Sequence, residues 1–319
     1  MKLFTSVHDV DNVPALVKEA LILKRTPFNH QELGKNKTIG LIFLNPSLRT
    51  RLSTQKAALN LGMTPIVMNI DKEGWALETK DGAIMNGTTV EHIREAAGVM
   101  GEYCDILGIR AFPGLKDKEE DYSEDILNKF IKYSKIPVVS LESATRHPLQ
   151  AFADLITIVE HKKNDRPKVV LSWAPHVKPL PQAVPNAFAE WMCKAQEEGM
   201  IDFVITHPEG YELAEQFTPG ATIIYNQDEA LKDADFVYVK NWSSYKEYGK
   251  ILTEGNGWMM NREKLAITNK AKVLHCLPVR RDLELGSDIL DSEDSLVIQE
   301  AGNRVWAAQT VLKRILEAM

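Results

Sequence analysis

The sequence predicts an α/β protein made of two doubly wound parallel-sheet domains. Three observations carry this. Short apolar or β-branched runs recur along the chain, helical-period stretches lie between many of them, and the polar motifs fall just after the runs. Strands alternating with helices favour parallel sheets. In such sheets ligands gather at the carboxyl ends of the strands. A length of 319 residues is enough for two cores rather than one.

The strands read in order as "TIGLIFL" (38–44), "TPIVMNI" (64–70), "CDILGIR" (104–110) and "IPVVSL" (136–141). After these come "KVVLSWA" (168–174), "DFVITHP" (202–208), "ATIIYN" (221–226), "DFVYVKN" (235–241) and "KVLHCLP" (272–278). Helical periodicity marks 89–103, 123–134, 185–199 and 210–217. A connecting helix over 146–165 puts the domain break there, giving domains of 1–147 and 148–302. The final segment, 303–319, is amphipathic through Val305, Leu312, Ile315 and Leu316, and is expected to return and pack on the first domain.

Apolar residues make up 44% and charged residues 26%, the balance of an ordinary globular chain. The net charge of −6 argues against a general nucleic-acid or anionic-membrane partner. No apolar run reaches the ~20 residues that span a bilayer. Asp9 and Asp11 interrupt the place where a signal peptide keeps its apolar stretch. Cys104, Cys193 and Cys276 are widely spaced, with no CxxC, so neither a disulfide framework nor a zinc site is expected. A reducing cytoplasm fits, and no metal or cofactor is predicted.

The first motif is "FLNPSLRTR" (43–51), a strand, a proline turn and then a helix mouth. A helix N-terminus offers unpaired N–H groups and partial positive charge. Ser47 and Thr50 can cap it or donate to an anion, and Arg49 adds a fork matched to phosphate. A plain Ser cap with surface arginines is the bland alternative. Neither GxGxxG nor GxxxxGK[ST] is present, which removes the main support for dinucleotide and P-loop readings. "GIRAF" puts Arg110 at a strand end, and "HPLQ" puts His147 and Gln150 one turn apart, both able to donate hydrogen bonds. "HCLPVRR" sets Cys276 beside Arg280 and Arg281. Taken singly, Arg110 reads equally as a surface ion pair, His147 as a helix-entry histidine and Cys276 as a small buried residue.

Taken together, S-x-R-T-R, a strand arginine, H-P-x-Q, H-C-L-P and a late E-x-x-x-R resemble the aspartate/ornithine carbamoyltransferase family over essentially the whole chain. The resemblance implies a carbamoyl phosphate site in the first domain and an acyl-ornithine site in the second. Ser47, Leu48 through its backbone, Arg49 and Thr50 would hold phosphate. Arg110, His147 and Gln150 would hold the carbamoyl group, Cys276 and Leu277 would line the site, and Arg304 would close it. The family's active site lies between subunits of a homotrimer, with a neighbour's loop inserted. Here "DKEGWALE", with Trp75, occupies that loop position, although an exposed loop aromatic is the plain alternative. Arg49, Thr50, Arg110, His147, Gln150 and Cys276 are the implied catalytic set. Cys276 is expected to orient substrate, with a nucleophilic thiol as the alternative.

The acceptor amine is read from departures within the resemblance. Ordinary ornithine enzymes carry D-x-W after the fourth strand of the second domain, the Asp meeting a free α-ammonium. This chain has "VKNWSSY", with Lys240 in place of the carboxylate. Charge reversal ~4 Å from an ammonium, at an effective dielectric of ~20, is worth several kcal/mol. An acylated, neutral α-nitrogen on an anionic ligand removes the conflict, with Lys240 and Arg280 then meeting carboxylates and Arg281 a further candidate. Glu142 and His176 stand where acetylornithine and succinylornithine carbamoyltransferases contact the acylated ornithine. Their plain alternatives are a solvent-facing strand end and a loop histidine. At position 90 the acetyl enzyme carries Glu and the succinyl enzyme usually Pro, whereas this chain has Val90. Glu284 replaces a lysine of the acetyl enzyme. Val90 removes the carboxylate that would repel a succinyl group, so N-succinyl-L-ornithine is the expected acceptor. N-acetylornithine is the alternative, then free ornithine. An NAD-type oxidoreductase and a non-catalytic binding protein on the same scaffold are the rivals from other classes.

Overall fold

The computed structural model describes residues 1–319, the side chain of Asp71 excepted. Two five-stranded sheets form its centre, and every pairing in them is parallel. The first has the order Leu3–Phe4, Val138–Glu142, Ile106–Arg110, Thr38–Phe43, Thr64–Asn69. The second has the order Thr222–Ile223, Asp202–Thr206, Lys168–Trp173, Phe236–Lys240, Lys272–Leu274. The central strands are buried along most of their length, which is why they read as continuous apolar runs rather than alternating ones.

All nine predicted strands form, although 221–226 contributes only Thr222–Ile223. The short edge strand Leu3–Phe4 and the helix Val13–Arg25 went unpredicted. That helix had a legible start, since Asn12 accepts from Ala15 N at 2.8 Å and Pro14 sits in the first turn. The helix predicted over 210–217 is a single 3₁₀ turn, Glu215–Phe217. Its apolar members Tyr211, Leu213 and Phe217 are all buried from an irregular loop, so their burial follows no helical face. The stretch predicted to be helical from 89 starts its helix at Ile93, because Glu91–His92 pairs instead with Leu77–Glu78.

The two halves share one core. Phe152, on the helix Pro148–His161, stacks on Trp191 of the helix Ala183–Glu197 with ring centroids 5.2 Å apart. The final helix is Val297–Glu317, six residues longer at its start than predicted. It packs against the helices Arg49–Asn60, Pro148–His161 and Val13–Arg25. Buried amides tie these contacts: Asn60 Nδ2 donates to Gln309 Oε1 at 2.8 Å, and Asn303 Nδ2 to Thr157 Oγ1 at 2.9 Å.

Candidate active site

The strand ends of both sheets converge on a pocket of about 550 Å³. Every predicted site residue lines it except Leu48, Trp75 and Val90. Phe112, Lys178, Leu180, Pro181, Val184, Pro278 and Val279 complete the wall and were not foreseen.

Helix Arg49–Asn60 opens on the pocket without any side-chain cap; Leu48 is its N-cap. Ser47 and Thr50 therefore do not cap, contrary to one expectation. The first-turn N–H groups are left for an anion. Leu48 instead faces an adjoining recess of about 510 Å³, which it lines with Ser47, Arg51, Asn69 and Lys72.

Thr50 Oγ1 accepts from Arg304 Nη2, and from Arg110 Nη1 at 3.4 Å. With two guanidinium donors on its oxygen, its own O–H is free to donate into the pocket. Arg110 reaches this position through a register shift between Ile109 and Arg110, which sets it opposite Glu142. Its Nη1 donates to Glu142 Oε2, and its guanidinium lies 4.4 Å from the centre of the Phe112 ring. Glu142 is buried in this pair, which excludes the solvent-facing alternative.

His147 is also buried, with Nε2 3.4 Å from both Glu142 Oε2 and Arg304 Nη2. Burial first, then the charges of Arg304, Arg110 and Arg49, hold its pKa well below the ordinary histidine value. It is a neutral imidazole at pH 7, offering one N–H and no charge. Its Nδ1 has no partner among the described residues.

Gln150 departs from expectation. Its Nε2 donates inward, to Asp154 Oδ1 at 2.7 Å and Glu300 Oε1 at 3.2 Å, while its Oε1 accepts from Arg304 Nη1 at 2.5 Å. It meets the pocket as an acceptor, where the sequence suggested a donor. Asp154 and Glu300 were both missed. The available signals were a lone carboxylate one turn after Gln150 in an apolar helix and the first position of E-x-x-x-R.

On the opposite wall, burial pushes the Cys276 thiol up to about 12. A protonated thiol is a poor nucleophile, which disfavours the covalent alternative. The next residue, Leu277, has φ +56°, a left-handed conformation that turns its backbone toward the pocket. His275 Nδ1 accepts from Leu277 N at 2.9 Å, and His275 N donates to Glu300 Oε2 at 2.8 Å. Arg280 Nε donates to His176 Nε2 at 3.1 Å, so the other ring nitrogen carries the proton and donates to the Lys178 carbonyl at 2.9 Å. Glu284 is buried and accepts from Arg280 N at 2.7 Å, holding this turn. Lys240 closes the strand Phe236–Lys240 with its side chain 6% exposed and no carboxylate in ion-pairing reach among the described residues. Arg281 turns away to pair with Asp291 at 2.7 Å.

Trp75 and Val90 lie on a separate loop of the same chain, 54% and 65% exposed. Trp75 Nε1 donates to Glu91 Oε2 at 2.8 Å, and Val90 N to the Ala76 carbonyl at 3.1 Å. Lys129 braces the loop by donating to the Thr79 carbonyl and to Asp125 Oδ2.

A pocket that gathers Arg49, Arg110 and Arg304 around a helix N-terminus, with the Cys276 thiol held protonated, suits transfer of a group carried on phosphate. Comparison with known proteins agrees. Residues 2–160 match the carbamoyl-P binding domain of aspartate/ornithine carbamoyltransferases, and residues 186–315 match the Asp/Orn binding domain. The chain belongs to the aspartate/ornithine carbamoyltransferase family.

It is similar to the N-succinylornithine carbamoyltransferase of Bacteroides thetaiotaomicron, at 53% identity over 100% of both chains. It is 34% identical to the N-acetylornithine carbamoyltransferase of Xylella fastidiosa, over 92% of this chain and 93% of that one. Among solved structures, an N-acetyl-L-ornithine transcarbamylase complexed with acetylcitrulline matches with a TM-score of 0.90 and 32% identity, covering 99% of each chain. A variant of such an enzyme with one glutamate replaced by valine, complexed with carbamyl phosphate and N-succinyl-L-norvaline, matches with a TM-score of 0.90 and 32% identity over 99% of this chain and 100% of that one.

Proposed function

We propose that this chain transfers the carbamoyl group of carbamoyl phosphate to the δ-amine of N-succinyl-L-ornithine, giving N-succinyl-L-citrulline and phosphate in arginine biosynthesis. The observation that carries the acceptor is Lys240, a buried cation facing the pocket without an ion-pair partner among the described residues, where a free α-ammonium would need an anion. A succinyl-bearing ligand supplies carboxylates for Lys240 and Arg280. The identity of 53% to an N-succinylornithine carbamoyltransferase supports the same reading. N-acetylornithine is the second reading, favoured by the relatives of that name at 34% identity.

The chemistry is addition of a neutral amine to the carbonyl carbon, followed by loss of phosphate. Ser47, Arg49, Thr50 and the backbone at Leu48 hold the phosphate. Arg110, Thr50 and His147 donate to the oxygen that becomes an oxyanion, each such donor being worth roughly 2.7–4 kcal/mol. Neutral His147 serves as a donor that adds no further cation beside three guanidiniums. The departing phosphate takes the amine proton, so no separate base is required. Alignment of the two substrates supplies much of the remaining acceleration.

In this reading residues 1–147 form the carbamoyl-phosphate domain and 148–302 the acyl-ornithine domain, with the final helix returned to the first. It also takes the protein to be a cytoplasmic homotrimer whose neighbouring loop brings Trp75 and Val90 to the pocket. The apolar row Leu48, Leu52 and Leu59 and the edge-strand residue Ile66 are all at least half exposed, a surface suited to a second copy. Three free cysteines fit a reducing compartment, and among the described residues no helix is long and apolar enough to cross a membrane.

The test is incubation with carbamoyl phosphate and ornithine, N-acetylornithine, N-succinylornithine or aspartate in turn, with the carbamoylated product read by mass. Fastest turnover of N-succinylornithine is expected. Preference for free ornithine would overturn the Lys240 argument.

A further inference from the structure

Asp154 and Glu300 are completely buried, line no part of the pocket wall, and have no part in the mechanism above. Both meet the same side chain. Gln150 Nε2 donates to Asp154 Oδ1 at 2.7 Å and to Glu300 Oε1 at 3.2 Å, and Gln150 Oε1 accepts from Arg304 Nη1 at 2.5 Å. Turning the amide over would set its N–H₂ against a guanidinium and its oxygen against two carboxyls. Only one orientation satisfies all three partners. We propose that Asp154 and Glu300 are a positioning pair, which fixes the Gln150 amide with its oxygen toward the pocket and thereby selects a donor carrying an N–H₂ on its reacting carbonyl.

The inference rests on the carbamoyl phosphate reading and sharpens it. Carbamoyl phosphate and acetyl phosphate share a phosphate and a carbonyl, and differ in –NH₂ against –CH₃. The phosphate cradle and the oxyanion donors treat them alike. A fixed acceptor at Gln150 does not, because a methyl group leaves that oxygen unpaired.

The charge state of the pair is consistent with this role. Burial raises both carboxyls; the Asp154 charge raises Glu300 further, while the hydrogen bond with Glu300 favours the Asp154 anion, so Glu300 keeps its proton. Glu300, in hydrogen-bonding contact with Asp154, is the one held as the acid. Its Oε2 accepts from His275 N at 2.8 Å, leaving the Oε1 side to donate to Asp154. Glutamine at 300 keeps an acceptor for His275 N but sets an N–H₂ where Glu300 Oε1 accepts from Gln150 Nε2, and asparagine at 154 does the same at Asp154 Oδ1, so either can donate to a Gln150 amide that has turned over.

The experiment is calorimetric titration of the full chain, and of Asp154→Asn, Glu300→Gln and Glu300→Ala, with carbamoyl phosphate and with acetyl phosphate. The wild type should prefer carbamoyl phosphate by about 10-fold or more, the worth of one hydrogen bond to a fixed acceptor. Asp154→Asn should lose most of that preference through weaker carbamoyl phosphate binding, with acetyl phosphate affinity unmoved. Glu300→Gln, which adds an opposing donor, should lose it, and Glu300→Ala, which leaves Asp154 to hold the amide, should keep more of it, the reverse of what a merely structural role would give and a contrast that decides the matter even if Asp154→Asn does not fold. A folded Asp154→Asn with the wild-type ratio, or Glu300→Gln and Glu300→Ala behaving alike, would overturn the pair alone. Failure of the wild type to bind carbamoyl phosphate would overturn the functional reading beneath it, and the pair with it.

Discussion

In the proposed reading, acceptor choice turns on the side chains of Lys240 and Val90. Lys240 is held at a strand end among buried neighbours, with Glu142 and Glu284 feeling its charge but no carboxylate within 4.0 Å among the described residues. Lys240→Met removes one charge-assisted contact of about 1.5–3 kcal/mol. Turnover per KM with N-succinylornithine should fall by roughly 10- to 100-fold, with the KM for carbamoyl phosphate unmoved. Steady-state kinetics against each substrate checks this. Val90 leaves its position uncharged. Val90→Glu should move preference from succinylornithine toward acetylornithine, measured as the ratio of initial rates on the two. An unchanged ratio removes position 90 from the account. Both residues were legible because each departs in charge from a pattern. Asp154 and Glu300 were not, because a carboxylate inside an apolar helix looks like a solvated one until its burial is known.

At the level of elements, the interior strands announced themselves as apolar runs because helices cover both faces of a parallel sheet. Short edge elements did not, since two residues such as Leu3–Phe4 carry no period. The 210–217 segment misled because buried residues spaced like a helix were presented by an irregular loop. The final helix was recognised from its apolar stripe over 303–319, although its first six residues, which carry the buried Glu300, went unpredicted. Leu312 lies at the centre of that stripe, 1% exposed. Leu312→Ala should cost about 2–5 kcal/mol of stability, from lost burial and the cavity left behind. Chemical denaturation should show a lower midpoint with an unchanged slope; a midpoint within error of wild type would mean the helix is not held there.

At the level of the whole molecule, the motifs marked every wall of the pocket, but not whether one chain completes it. Trp75 and Val90 extend outward on a braced loop, and the recess beside Ser47 and Leu48 lies open next to the pocket. The trimer reading therefore makes a prediction that no single-chain defect imitates. Arg49→Ala and Trp75→Ala should each be nearly inactive alone, with melting temperatures near wild type. Co-assembled, the two should regain a fraction of activity, because some sites then combine an intact Arg49 with a neighbour's intact Trp75. No recovery in mixed, size-selected oligomers would show that the loop serves its own chain or none.

The strand ends of the first sheet hold Arg49 and Arg110, which in the proposed reading meet the phosphate-bearing partner, while those of the second hold Lys240, His176 and Arg280. Descendants of such a scaffold can therefore drift toward a new amine by altering a few loop tips, leaving the machinery for the activated partner untouched. Diversification would then begin from a working catalyst rather than from an inert one.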